Sequence, residues 1–317
     1  MEKARRNPDG SPAGPFRAGR RGSATHRLTR RGEAAPYVHL PVIPAALGLL
    51  LGAAGMHAAW NVMLKGSADP LRLSLRALTA GTLAFAPVVL AAWLIGGRPG
   101  LTPAGWLCVA GSGVAELFYF VFLSHAYRHG ELSFVYPIAR GTGPLVAVGA
   151  GLLLLRERLS PLQLAGVAAL LAGIWLVRRP AGASGPLLAA LLTGLCIGAY
   201  TVIDRVGVRL GPPWLYGWFV FALTVALLSA WVAMFGGPGD APGWRRSALV
   251  GFLMTATFYV VLVALAVAPV TVVAPARESA IVLVSAWGVL RLREREGLPL
   301  KLAGALAILA GVVLLIV

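Results

Sequence analysis

Residues 155–166 read LRERLSPLQLAG and residues 292–304 read LREREGLPLKLAG, so the chain carries nearly the same segment twice. With Pro161 aligned to Pro299, ten of the seventeen positions that begin there are identical. Upstream positions match at a similar spacing, namely Phe118-Tyr119 with Phe258-Tyr259 and Ala139-Arg140 with Ala276-Arg277. Self-similarity at a nearly constant offset indicates a duplicated architecture.

The composition places this duplicated unit in a membrane. Hydrophobic residues make up 58% of the chain, charged residues make up 13%, and the mean hydropathy is +0.77. A soluble domain carries about 25% charged residues, so this chain has too few to cover its surface in water. The net charge is +16, but nine of the 28 Lys and Arg lie in residues 1–36 and most others lie at the ends of apolar runs. We therefore expect a lipid bilayer, and no nucleic acid, as a partner.

Ten apolar runs follow a basic tail. Residues 1–36 are rich in Arg, Gly, Pro and Ser without apolar periodicity, which predicts a disordered tail. Most runs reach the ~20 residues that an α-helix needs to cross a ~30 Å hydrocarbon core, where unpaired backbone groups find no partner. The runs are 43–64, 73–95, 104–126, 132–155, 161–177, 186–204, 214–235, 247–268, 270–290 and 299–317. The sequence predicts an all-α integral membrane fold with ten transmembrane helices.

The repeat divides these ten predicted helices into five and five. Because each unit has an odd number of crossings, the second copy enters the membrane from the opposite side. Inverted-topology repeats are typical of secondary transporters, which bind substrate near the midplane between the halves. The small-residue rows Ala165-Ala169-Gly173 and Ala303-Ala307-Gly311 predict that the fifth and tenth helices pack closely against neighbours.

The doubled five-helix unit, with its acidic-basic turns at Glu157 and Glu294, resembles the EamA domain of the drug/metabolite transporter (DMT) superfamily. The resemblance covers 43–178 as a first repeat with helices 1–5, and 186–317 as a second repeat with helices 6–10. It implies a multi-pass permease of the plasma or inner membrane, with both termini in the cytoplasm. This orientation puts fourteen Lys and Arg on the inner side and twelve on the outer side, the direction of the positive-inside rule.

Four charged side chains lie well inside the apolar runs, namely Glu116, Arg140, Arg277 and Glu278. An ionisable group at the bilayer centre costs about 2.5–3.5 kcal/mol or more, so it normally faces a cavity or a partner. Arg140 and Arg277 hold equivalent places in the two repeats, which predicts opposite walls of a central cavity. The alternative is that each arginine only ties helices together, through freed carbonyls or Glu116.

Prolines and glycines interrupt both segments that carry these arginines. Residues 136–144 read YPIARGTGP and residues 274–278 read APARE. Proline frees a carbonyl one turn earlier, and interrupted segments at corresponding positions of two halves indicate a binding site. Glu116 and Glu278 are the candidates for proton coupling, because buried carboxyl groups form the proton relays of many transporters.

Polar and aromatic side chains complete the predicted site. His57, Asn61 and Lys65 share one face of the first helix, and Trp60 lies beside that face. A histidine within a bundle either binds a ligand or forms an interhelical hydrogen bond, and the tyrosines either line a cavity or pack. The candidate substrate-binding residues are His57, Trp60, Asn61, Tyr119, Tyr136, Arg140, Tyr259 and Arg277. For Asp204, at the end of the sixth run, we favour the membrane interface over the cavity.

Catalytic and nucleotide-binding motifs are missing from the sequence. It contains no nucleophile elbow, Walker loop or HExxH motif, which argues against an enzyme and against ATP-driven transport. We expect no cofactor and no metal, and we interpret Cys108 and Cys196 as interior residues. The predicted function is secondary transport of a small metabolite, anionic or zwitterionic, by alternating access. The alternatives are a membrane-embedded lipid-modifying enzyme and a non-transporting membrane subunit, and both a monomer and a homodimer remain open.

Overall fold

The computed structural model describes residues 42–130, 132–177, 186–237, 239, 242–278 and 298–316. Within these residues all regular secondary structure is helical. The helices are α1 (Val42–Lys65), α2 (Pro70–Ile95), α3 (Pro103–His129), α4 (Leu132–Leu153), α5 (Pro161–Val177), α6 (Leu187–Gly207), α7 (Pro213–Phe235), α8 (Trp244–Val267), α9 (Val270–Arg277) and α10 (Leu298–Ile316). The predicted tail, the predicted ninth helix beyond Glu278 and the turn at Glu294 lie outside the described residues.

Five of these helices, α2, α3, α6, α7 and α8, are long and apolar enough to cross a membrane. Their outer surfaces carry large exposed apolar side chains, such as Leu83, Leu107 and Leu188. A surface of this kind is unfavourable in water and favourable in hydrocarbon. The chain is therefore a multi-pass membrane protein, and the number of ten spans stays a prediction.

Side-chain caps and prolines set the beginnings of α2 and α3. Asp69 accepts a hydrogen bond from the Arg72 backbone N at 3.1 Å, and Pro70 follows it as the first helical residue. Thr102 accepts one from the Gly105 backbone N at 3.1 Å, again with a proline in the first turn. Such caps satisfy backbone donors that the helix itself leaves free, and a proline at this position loses no helical hydrogen bond.

Helices from the two predicted repeats pack against each other. Helix α6 packs on α3 and α4, α8 packs on α1 and α2, and α5 packs on α10. In the α5–α10 pair a Cβ on Gly173 would lie 2.6 Å from the Gly304 carbonyl oxygen. One on Gly311 would lie 2.7 Å from the Gly166 carbonyl oxygen. Only glycine permits this approach of the two backbones. Of the predicted small-residue rows, Gly173 and Gly311 make these contacts, whereas Ala165 and Ala303 are exposed.

Candidate functional site

Two buried arginines and one buried carboxylate form a cluster where α4 meets the end of α9. The Arg140 Nε atom lies 2.7 Å from Glu278 Oε2, and Arg277 Nε donates a hydrogen bond to Glu278 Oε1 at 3.3 Å. All three side chains are at most 4% exposed. Two guanidinium groups and one carboxylate leave one net positive charge. The sequence alternative that tied an arginine to Glu116 is wrong, because the carboxylate partner of both arginines is Glu278.

Four buried guanidinium nitrogens of this cluster have no hydrogen-bond partner. They are Nε, Nη1 and Nη2 of Arg140 and Nη2 of Arg277, and of these Arg140 Nε makes the ion-pair contact with Glu278. A buried donor without a partner costs about 1–3 kcal/mol, and more when it is charged. Tyr136 lies beside this group, with the Arg140 guanidinium 5.9 Å from its ring centroid and with its own hydroxyl unpartnered. The cluster therefore holds donors that a negatively charged group can use.

A small cavity of about 40 Å³ lies next to the cluster. Its volume admits two or three water molecules, at roughly 10–15 Å³ of such space for each. Five predicted site residues line it, namely His57, Trp60, Glu116, Tyr119 and Arg277. The other seven lining residues lie outside the predicted set, namely Phe120, Tyr200, Phe221, Met254, Thr257, Phe258 and Val261. The cavity is thus a small space with charged and aromatic walls.

On α1 the side chains of His57 and Trp60 face the cavity, whereas that of Asn61 does not. The rings of His57 and Trp60 meet edge to face at 4.6 Å, and both ring N atoms His57 Nε2 and Trp60 Nε1 are buried without a partner. Asn61 donates to the His57 carbonyl oxygen at 2.9 Å and accepts from the Tyr127 hydroxyl at 2.9 Å. Asn61 does not line the cavity, because these bonds hold its amide between α1 and α3.

The matched tyrosines Tyr119 and Tyr259 have different surroundings. Tyr119 lines the cavity, whereas the Tyr259 ring stacks on Phe85 of α2 at 5.4 Å. Phe258 takes the inward position on α8 and stacks on Phe221 at 4.3 Å. Successive residues of a helix point about 100° apart, so a matched Phe-Tyr pair does not decide which ring faces inward. The structure does not bring Tyr259 into the site.

The two candidate proton-coupling carboxylates also differ. Glu116 lines the cavity, is 4% exposed, and accepts one hydrogen bond, from Thr224 Oγ1 at 3.2 Å. Glu278 does not line the cavity and is held between the two arginines. Glu278 acts as their counter-ion, and Glu116 is the acid that faces the cavity.

Asp204 is buried between α3, α6 and α7 and does not line the cavity, and its position at the membrane interface stays a prediction. It is 1% exposed, and its Oδ1 accepts hydrogen bonds from Ser112 Oγ at 2.6 Å and from the Tyr216 hydroxyl at 2.7 Å. Its Oδ2 is buried without a partner. The tight packing of Tyr216 over Gly207 closes this end of α6, which the apolar pattern did not reveal. The sequence signal for a polar partner inside the bundle was Ser112, which lies one turn from Glu116 on α3.

The EamA-like transporter family model matches the sequence twice, over residues 44–179 and 184–317. The chain belongs to the EamA-like transporter family. One solved structure, described as a crystal structure of a protein, aligns with a TM-score of 0.67 at 20% sequence identity. The alignment covers 86% of this chain and 96% of the other, so the two share a fold. None of the curated proteins matches the chain.

Polar contacts join helices at both ends of the described part of this EamA family protein. At one end, the Lys65 end, Lys65 Nζ donates to the carbonyl oxygens of Tyr127 at 2.6 Å and Gly130 at 2.8 Å. Arg246 of α8 donates to the Met63 carbonyl oxygen at the same end. These bonds join α1, α3 and α8 above the cavity.

At the opposite end, the Glu157 end, one carboxylate joins α6 and α9. Glu157 accepts hydrogen bonds from the backbone N of Val270 at 2.9 Å and of Thr271 at 3.0 Å. It also pairs with Arg205 Nε at 3.3 Å, and Arg205 donates to the Leu265 carbonyl oxygen. The partners of Glu157 thus come from α6 and α9, although arginines stand on both sides of it in the sequence.

Proposed function

We propose that this EamA family member is a secondary transporter for a small carboxylate-bearing metabolite, anionic or amino-acid-like, which it moves by alternating access without ATP. The observation that carries the proposal is the buried Arg140–Glu278–Arg277 cluster, which has unpaired guanidinium nitrogens and lies next to the small cavity that Arg277 lines. In the proposed cycle the contacts at the two ends hold an occluded conformation, and breaking them at either end gives the site access to one side of the membrane.

The charges of the cluster favour a carboxylate over a cation. Its net charge is +1, and Arg277 itself lines the cavity. A planar guanidinium binds a carboxylate through two parallel hydrogen bonds, which the unpaired nitrogens leave available. The aromatic walls formed by Trp60, Tyr119 and Phe258 suit an apolar substrate body. Glu116 on the same cavity gives an ammonium group its counter-ion, which suits a zwitterion.

The state of Glu116 connects substrate charge with proton movement. An anion binds better when Glu116 is protonated, because a second negative charge is then absent, so anion and proton move together. The ammonium of a zwitterion binds better when Glu116 is ionised, so zwitterion and proton compete. Glu116 is the stronger coupling candidate of the two predicted acids, because Glu278 is occupied by both arginines.

We further propose the inverted arrangement of repeats 43–178 and 186–317, with ten spans and both termini in the cytoplasm. Support comes from the α5–α10 glycines, since the sequence repeat equates Gly166 with Gly304 and Gly173 with Gly311. The contacts are Gly173 with Gly304 and Gly311 with Gly166, so exchanging the repeats turns each contact into the other. The early glycine of one helix meets the late glycine of the other, as antiparallel helices about an in-plane axis require.

Membership of a transporter family favours transport over the lipid-modifying enzyme and the non-transporting subunit. The decisive experiment reconstitutes the full chain in proteoliposomes and screens anionic, zwitterionic and cationic metabolites at several pH gradients. We expect uptake of carboxylates or amino-acid-like zwitterions, with a proton gradient acting in the direction that the substrate class sets. Selective uptake of cations rejects the proposed substrate class. Turnover of lipid in a parallel assay, without solute uptake, supports the enzyme instead.

A further inference from the structure

A second and much larger cavity, of about 640 Å³, lies on the outside of the bundle. It is formed by α2 and by the first turns of α3 and α7, so it shares no lining residue with the cavity beside Arg277. Its walls are apolar and aromatic, and they include Leu83 and Pro87 of α2 and the rings of Trp93, Trp106 and Trp218. Leu83 is 66% exposed and Trp106 is 45% exposed, so the cavity opens towards the lipid. A space of this size is typical of small-ligand sites.

The depth of this cavity equals that of one membrane leaflet. Its lining on α2 runs from Leu83 to Trp93, which at 1.5 Å per residue is roughly 15 Å, half of a ~30 Å hydrocarbon core. Its other end reaches Pro99 and Leu101 in the loop between α2 and α3. Tryptophan is enriched at the headgroup level of membranes, so Trp93 and Trp106 mark this end as the mouth.

A basic side chain stands at the mouth. The Arg98 guanidinium lies 5.6 Å from the centroid of the Trp93 ring, which lines the cavity. Its backbone has a φ of 59°, which is unusual for a residue with a Cβ, and its N donates to the Trp93 carbonyl oxygen at 2.8 Å. This turn directs the side chain back over the end of α2. In the described part of the chain Arg98 has no carboxylate partner.

We propose that this cavity binds one acyl chain of an anionic phospholipid, whose phosphate contacts Arg98. The walls offer an acyl chain an apolar environment over the depth of its own leaflet. The mouth offers the phosphate a guanidinium group, which forms strong charge-assisted hydrogen bonds with phosphate oxygens. The bound lipid contacts α2, α3 and α7, and it is separate from the transported metabolite.

Native mass spectrometry of the full chain in detergent tests this site. The protein receives equal amounts of phosphatidylglycerol and phosphatidylethanolamine, and the retained lipid is counted. We expect one retained phosphatidylglycerol per chain in preference to phosphatidylethanolamine. Arg98→Gln is expected to lower that preference about fivefold, the effect of about 1 kcal/mol per basic residue near an anionic surface. The control Arg158→Gln, an exposed arginine of the α4–α5 loop, leaves the preference unchanged.

Filling the cavity tests the acyl-chain part of the proposal. Ala86→Phe puts a ring into the cavity and is expected to reduce retention of both lipids several-fold. Ala91→Phe makes the same change on an exposed position of the same helix, outside the cavity lining, and is expected to have no effect. Equal retention of the two lipids by the unmodified chain, or an unchanged preference in Arg98→Gln, overturns the proposal. If Ala86→Phe does not fold, the comparison of Arg98→Gln with Arg158→Gln still decides it.

Discussion

Glu157, in the turn between α4 and α5, pairs with Arg205 of α6 at 3.3 Å and caps the first turn of α9 with both carboxylate oxygens. One side chain thus links segments from both predicted repeats. In the alternating-access mechanism proposed above, an opening of this end requires that these bonds break. A single substitution at this contact is therefore expected to shift the balance between the closed and open forms.

Glu157→Gln is expected to open the Glu157 end. The amide removes the charge that pairs with Arg205, and its NH2 group then faces a backbone donor of α9. Losing a buried charged hydrogen bond costs about 1–3 kcal/mol, and 1.4 kcal/mol is tenfold in population. In a chain in which Cys108 and Cys196 are replaced by Ser, we expect a maleimide to label Val270→Cys roughly tenfold faster in this variant. Asp69→Asn, at the Lys65 end, is the matched control and leaves the labelling rate unchanged; equal rates in all three chains reject a closing role for Glu157.

Gly173→Ala is expected to destabilise the protein by about 1–3 kcal/mol, because the new methyl group meets backbone atoms of α10 that cannot move aside. Gly311→Ala is expected to have a similar effect, because its contact with α5 is the repeat-related copy of the same contact. The control Gly149→Ala has open space around the new methyl group and gains helix propensity, up to about 1 kcal/mol. Thermal unfolding in detergent measures the three variants. A large effect of one glycine and none of the other contradicts the reciprocal contact.

The helical architecture and the membership of Arg140 and Arg277 in one site are visible in the sequence. Apolar runs, prolines and capping residues set the helix ends locally. The sequence repeat places the two arginines at equivalent positions, and this relation does not depend on how the helices pack. The rotation of a helix is different, because it depends on contacts with other helices. Phe258 rather than Tyr259 faces the cavity because α8 fits against its neighbours in that rotation, and no local pattern contains this information.

The partners of buried acids are likewise decided by tertiary packing. The apolar run around Asp204 does not reveal that Tyr216, in the first turn of α7, donates a hydrogen bond to it. The turn at Glu157 contains arginines on both sides of the acid, so the sequence favours local pairing. The structure instead gives Glu157 the free backbone donors at the start of α9, and it gives Asp204 the hydroxyl groups of Ser112 and Tyr216.

Glu116→Gln is expected to abolish transport driven by a pH gradient and to retain exchange of substrate without a gradient. The amide is close in shape to the carboxyl group and keeps the hydrogen bond from Thr224, but it cannot take up a proton. Asp204→Asn is the matched control, since Asp204 is equally buried but does not line the cavity beside Arg277. We expect that variant to lose stability while the response to pH remains. Uptake in proteoliposomes measures both pH-driven transport and substrate exchange. If the pH response of Glu116→Gln is unchanged, Glu116 has a structural role.

Arg277→Lys is expected to raise the KM for the substrate at least tenfold, with the chain still folded in the membrane. Lysine keeps the positive charge, so the pairing with Glu278 is partly preserved, but it lacks the planar fork that holds a carboxylate through two bonds. Arg140→Lys is expected to have a smaller effect, because Arg140 does not line the cavity and acts on it through its pairing with Glu278. Arg158→Lys, an exposed loop arginine, controls for the substitution itself, and size-exclusion chromatography checks folding. If uptake is undiminished in both cluster variants, the substrate carboxylate binds elsewhere. The proposed site requires the two parallel hydrogen bonds that arginine forms and lysine does not.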